Sequence, residues 1–391
     1  MTIHAMTIRV LLLAVLLLAA ARPAGAEGWF ALRPEAAAGW QQQAVAPDRV
    51  VLRREGQAPD GRRIVVLYAR ASSAYRTAMS RILDLLVQKR LSPTIEVVLI
   101  GEDVAAGRAA LRHAEATQAG LVLAMGSETA DFLARHYASG RVPGLTVCAK
   151  DPVMLGQVRD YDSGSGTNVA FTSLNLPVDT LLAYLIRLRP GLKSVGILVD
   201  TDNVSAMQTQ AVPLAAALRE RGIAAVTVGV EHTTGGPVAD QLRARIPPAV
   251  AQMRHADPAL GASLLLITGS SAVFAEIDAI NAAAGTLPVV SMVPDVVGPG
   301  ESSAVASIGV SFDGNAHLAA LYAVDILYGG VRPGSLKVGV VTPPDIALNF
   351  RKARQIGLRV PFPLFEMAAR IHDGEGRLVR RDGLDLGEAA P

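Results

Sequence analysis

Residues 191–205 read GLKSVGILVDTDNVS. The apolar run Val195–Val199 follows Lys193 and Ser194 and ends at Asp200, Thr201, Asp202 and Asn203, after which an amphipathic pattern starts at Ser205. A short apolar run, a polar turn and a helix start are the grammar of a buried strand feeding a helix. The same grammar occurs earlier: Arg62 and Arg63, the apolar Ile64–Tyr68, the small or polar Ala71, Ser72 and Ser73, then a helical stripe of Tyr75, Met79, Ile82, Leu83 and Leu86. The chain therefore opens one structural unit twice, which predicts two lobes with a site between them.

Outward from these openings the two halves keep step. Strands are predicted at Ile64–Tyr68, Ile95–Ile100, Leu121–Met125 and Leu145–Ala149, and again at Val195–Val199, Ile223–Val228, Leu264–Ile267 and Val289–Met292, with helical stretches between them. Gly126, Ser127 and Glu128 follow the third strand of the first half, and Thr268, Gly269, Ser270 and Ser271 that of the second. Lys150, Asp151, Pro152 and Val153 follow the fourth strand, matched by Pro294, Asp295, Val296 and Val297. Strictly alternating apolar strands and helices imply βαβ units, buried on both sheet faces. The expected fold is α/β: two doubly wound parallel-sheet lobes joined by a multi-strand hinge, with crossings near Asn168–Phe171, Ala304–Val310 and Val338–Val341. The expected division is lobe 1 over 62–170 plus 306–336 and lobe 2 over 171–305 plus 337–372. Residues 27–61, with Trp29, Trp40 and a glutamine run, show no clear period and read as a surface extension; 373–391 read as a loose tail.

The start of the chain reads as an address. Arg9 precedes the apolar run Val10–Ala21, which Arg22, Pro23 and the small residues Ala24, Gly25 and Ala26 follow. This is the pattern of a secretory signal peptide over 1–26, its apolar core being short of the roughly 20 residues a spanning helix needs. Export to the periplasm is expected. The 391 residues carry 37 Lys and Arg against 35 Asp and Glu, so the charge gives no case for nucleic acid as a partner. The single cysteine, Cys148, excludes an internal disulfide and, lying in an apolar run, reads as a buried inert thiol.

In open parallel sheets ligands sit beyond the carboxyl ends of the strands, and the polar turns above all lie there. Ser72, Ser73, Ser127, Thr129, Ser205, Ser270 and Ser271 offer hydroxyls and helix N-terminal N–H groups to a carboxylate or carbonyl; each equally serves as a cap of its own helix. Asp151, Asp202 and Asp295 are acceptors for an amine or hydroxyl, Asp151 the favoured one. Glu128 shares that role or simply favours its helix start. Tyr75 either stacks on a flat ligand or packs in the core, the latter preferred. No catalytic set emerges: the 7 histidines show no paired metal spacing, and neither a nucleophile elbow nor a phosphate-binding glycine loop is present. No cofactor and no metal are expected.

The order of units resembles the type I periplasmic binding proteins. More narrowly, PPDIALNFRKARQIGLRVPFPLFEMAARI within Leu336–Ile371 is similar to the C-terminal signature of the ABC transporter substrate-binding family that includes tryptophan and tyrosine binders. There a strand leads into a helix ending in a short turn, then proline and an apolar stub, matched here by Ala353, Ile356, Gly357 and Pro361. The resemblance implies a monomeric, non-enzymatic solute-binding protein that delivers a small polar or amphipathic molecule, amino-acid-like by preference, to the membrane permease of an ABC importer; the alternative is a binding module that informs a membrane sensor. The chain departs from the family at the implied site. Asp202, Asn203, Val204 and Ser205 stand where the family has Asn, Pro and Ser, and the acid expected near Gly269 is missing.

Overall fold

The computed structural model describes residues 28–387, so the signal peptide expected over 1–26 lies outside the described residues. Lobe 1 is a seven-stranded sheet of β1 (Trp40–Ala46), β2 (Arg49–Arg54), β3 (Arg63–Tyr68), β4 (Thr94–Leu99), β5 (Leu121–Met125), β6 (Gly144–Val147) and β7 (Val169–Ala170), in the order β1-β2-β4-β3-β5-β6-β7. β4, β3, β5, β6 and β7 run parallel. The helix Ser73–Gln88 covers one face, burying Tyr75, Met79, Ile82, Leu83 and Leu86, the stripe legible in the sequence. β8 (Thr172–Ser173) begins the crossing to the second lobe.

Lobe 2 contains β9 (Ser194–Asp200), β10 (Ala224–Val230), β11 (Ser263–Ile267), β12 (Val289–Ser291) and β13 (Ala306–Gly309). After β14 (Gly339–Val340), which pairs with β8, the chain adds β15 (Asp345–Asn349), β16 (Arg370–His372), β17 (Leu378–Arg381) and β18 (Leu384–Asp385), for an order β10-β9-β11-β12-β13-β15-β16-β17-β18. The expected strands all form, and both lobes take the doubly wound arrangement. Three expectations are corrected. Residues 27–61 are not a surface appendage: β1 and β2 form a hairpin that extends the lobe 1 sheet antiparallel to β4, and Trp40 is buried. Residues 378–385 are not loose, since β17 and β18 extend the lobe 2 sheet; 388–391 lie outside the described residues. The boundaries move as well, because β13 pairs with β12 and β15 in lobe 2 whereas β14 stays beside β8.

Two polar clusters hold this arrangement. Glu96 on β4 is buried, its carboxylate lying 3.1 Å from Arg49 on β2, 3.4 Å from Arg63 on β3 and 3.0 Å from His113. It thereby ties the N-terminal hairpin to the parallel strands. Glu96→Gln removes the charge both guanidiniums face and is expected to cost about 2 kcal/mol of stability, read from the urea midpoint. At the hinge, the fully buried Asn315 accepts from Cys148 N–H at 2.8 Å and Thr172 Oγ1 at 3.2 Å, and donates to Ser173 O at 3.1 Å. The lobes are thus joined where β7 leads to β8, where β13 leads to the helix Phe312–Leu327, and where β14 leads to β15. The Cys148 thiol is buried and burial pushes it well up from its ordinary range. No helix among the described residues is long and apolar enough to cross a membrane.

Candidate ligand-binding cleft

The carboxyl ends of β3, β5 and β6 face those of β9 and β11 across the cleft. Ser72, Tyr75, Ser127, Glu128 and Lys150 come from lobe 1, and Asn203, Ser205, Gly269, Ser271 and Phe274 from lobe 2, around an inner space of ≈ 30 Å³. At its centre Lys150, only 6% exposed, donates from Nζ to Gly269 O at 3.1 Å, so one lobe's ammonium meets the other's backbone. Burial lowers the Lys150 pKa to about 8, against the opposing pull of Glu128. A Cβ at Gly269 would lie 2.1 Å from Lys150 Nζ, so any side chain there would push the ammonium off its carbonyl partner. The Gly269 N–H donates to Gln210 Oε1 at 2.8 Å, and Gln210 sits on the π-helical turn Met207–Ala211, a local widening often found where a helix serves a site.

The other polar groups divide between lining the cleft and holding the scaffold. Ser72 caps its helix, Oγ accepting from Ala74 N–H at 3.2 Å, and Ser73 is exposed just inside that helix. Ser127 Oγ accepts from Lys150 N–H at 3.0 Å, which fixes the backbone that aims the lysine. Glu128 pairs with Arg70 at 2.8 Å and is met by the Tyr75 hydroxyl at 3.5 Å. Tyr75 is otherwise core, edge-on to Tyr68 with ring centres 5.2 Å apart, and burial holds its hydroxyl far above its ordinary range. Asn203 caps the following helix, accepting from Ala206 N–H at 3.0 Å and Ser205 Oγ at 2.9 Å, while both keep a place on the cleft wall. Ser270 is wholly buried, with no partner for its hydroxyl among the described residues.

Three expected contributors are turned elsewhere. Asp151 accepts from Val153 N–H at 2.9 Å and Met154 N–H at 3.1 Å through one oxygen and from the Tyr161 hydroxyl through the other, so the favoured acceptor is consumed by its own turn. Thr129 donates to Met125 O at 2.8 Å inside the lobe. Asp202 accepts from Thr233 Oγ1 at 2.6 Å and N–H at 2.9 Å, bonds that lower its pKa. Asp295 lies beside the cleft, on the wall of a larger space of ≈ 720 Å³, where it accepts from Phe312 N–H at 3.4 Å and burial raises its pKa. Lys150, Arg70, Gln210, Phe274 and Phe312 are the site residues the sequence did not single out. Lys150 carried the one available signal, a lone cation at the carboxyl end of an apolar strand.

Asp200, Asp202 and His232 are the group among the described residues whose ligand atoms lie within 4.8 Å of one another. His232 Nδ1 is 2.8 Å from Asp200 Oδ2, and Asp202 is engaged by Thr233, so each member of the group has a protein partner.

No family model matches this chain, and no curated protein matches it in sequence. Solved structures do match in fold. The ABC domain from Streptococcus pneumonia in complex with L-Trp superposes with a TM-score of 0.62 at 16% identity over 79% of this chain and 100% of that one. A conserved domain protein of Vibrio cholerae gives 0.62 at 19% identity over 80% and 100%, and the ligand-free, open substrate-binding protein with adhesive properties from Clostridium difficile 0.59 at 19% over 77% and 96%. The chain has the type I periplasmic binding protein fold.

Proposed function

We propose that this chain is a solute-binding protein, not an enzyme, which closes its lobes on a small polar or amphipathic molecule and delivers it to the permease of an ABC importer. The observation that carries the proposal is the buried Lys150, which spans the cleft to Gly269 O and is flanked by Glu128 and Arg70. A buried ammonium satisfied by a single carbonyl retains N–H donors for an anionic group, and Glu128 supplies the opposite charge. The pairing suits an amine-bearing ligand, with a carboxylate or carbonyl oxygen at Lys150 and its ammonium at Glu128. The signal-peptide pattern read over residues 1–26 supports a periplasmic address, where such a receptor meets its permease. The fold neighbours named as ABC and substrate-binding proteins support the same proposal.

The test is the mass of the small molecule that co-purifies with the mature chain, followed by thermal shift across amino acids, nucleosides, sugars and small acids. A ligand at about 100 times its Kd is expected to add roughly 2.7 kcal/mol. Silence across the whole panel, with nothing co-purifying, would sink the proposal.

A further inference from the structure

The space between the lobes is compartmented. The inner space of ≈ 30 Å³ admits about two waters at most. Beside it lies the chamber of ≈ 720 Å³, and Ala74, Phe274 and Phe312 line both. The outer chamber is of the size that encloses small-molecule ligands. Leu32, Arg33 and Pro34 of the N-terminal segment form one of its walls, and Ile277 and Val296 of lobe 2 stand on another. The same segment, through Gly28 and Trp29, also walls a neighbouring space of ≈ 310 Å³ that reaches Ser72, Ser73 and Arg76.

The chamber's polar groups are few and of distinct kinds. Arg33 is already engaged, donating to Thr77 Oγ1 at 3.1 Å and lying 3.5 Å from Asp313. Arg76 is exposed on the chamber wall, its guanidinium in no hydrogen bond or ion pair among the described residues. It projects from the first turn of the helix Ser73–Gln88, whose N-terminal dipole adds positive potential there. Asp295 accepts from Phe312 N–H through one oxygen and offers the other to a donor such as a peptide N–H.

We infer that the ligand spans both compartments and is an elongated zwitterion, with an ammonium held by Glu128, an apolar body lying between the N-terminal segment and Phe274, Ile277 and Val296, and a terminal carboxylate received by Arg76. An apolar dipeptide is the simplest member of that class. The inference rests on the solute-binding function proposed above and narrows it, because a free amino acid would leave the outer chamber unfilled.

Titration calorimetry on the mature chain and on Arg76→Gln, with L-leucine, L-leucyl-L-leucine and L-leucyl-L-leucinamide as probes, separates the possibilities. In the wild type the dipeptide is expected to bind at least roughly tenfold more tightly than leucine, and its amide roughly tenfold more weakly than the acid, as the loss of one charge-assisted pair dictates. In Arg76→Gln the acid should fall to the level of the amide while the amide is unchanged, which also shows that the variant is folded. Equal affinity for acid and amide in the wild type, a preference that survives Arg76→Gln, or leucine binding as tightly as the dipeptide each overturns the inference. So does the absence of binding by all three probes; the solute-binding proposal would then still stand or fall on the co-purifying molecule.

Discussion

Lys150→Met is expected to weaken binding of an anionic or zwitterionic ligand by roughly 100-fold, the loss of charge-assisted hydrogen bonds in a desolvated site. Stability should move the other way. Met fills the stem's volume without a buried charge, and such replacements are commonly neutral or stabilising by about 1–3 kcal/mol. The pH dependence fixes the sign. The Lys150 pKa falls from 10.5 in the unfolded chain to about 8 in the fold. Between those values the unfolded state binds more protons, so stability rises with pH across that window, and the cost of about 3 kcal/mol is fully present below it. Wild type minus Lys150→Met, followed by urea denaturation from pH 7 to 10, isolates that rise. Unchanged ligand affinity in the variant would remove Lys150 from the site, and a flat difference curve would mean that the lysine is not buried in solution.

Gly309→Ala is expected to destabilise the fold by about 3 kcal/mol or more. A Cβ at Gly309 would lie 1.9 Å from Met292 O and 2.7 Å from its carbonyl carbon, both backbone atoms that cannot rotate away. Met292 is itself held by its N–H bond to Ile267 O at 2.9 Å, so relief requires β13 to part from the end of β12 just where the chain crosses between lobes. Gly261→Ala is the control: nothing lies within 4 Å of its Cβ position, and the effect should stay within about 0.5 kcal/mol. Comparable midpoints for the two variants would refute the steric argument.

The parallel strands were legible because each is a short, continuous apolar run, the mark of burial on both faces. The strands that escaped detection are those for which this signal is physically absent. β1 reads WQQQAVA and is exposed along most of its length, and β17 and β18 are half-buried or exposed, so neither period nor apolar content betrays them. The cleft was legible as a place, since its turns follow β3, β5, β6, β9 and β11, but only partly as chemistry. Asp151 attracted attention as an acid at a strand end, yet Asp before Pro in a tight turn has neighbouring N–H groups to satisfy, and it does so. Lys150 gains its meaning from Gly269, a partner in the other lobe that local sequence does not disclose.

A sheet that ended at β4 or at β16 would offer a row of unpaired N–H and C=O groups as a template for another copy of the chain. The two terminal hairpins take up those positions and put less adhesive strands on the rims: β1 with its solvated Gln41, Gln42 and Gln43 at one end, and the two-residue β18 at the other. What the termini contribute is therefore colloidal as much as architectural. They leave rims on which a second copy of the chain finds little to pair with edge to edge.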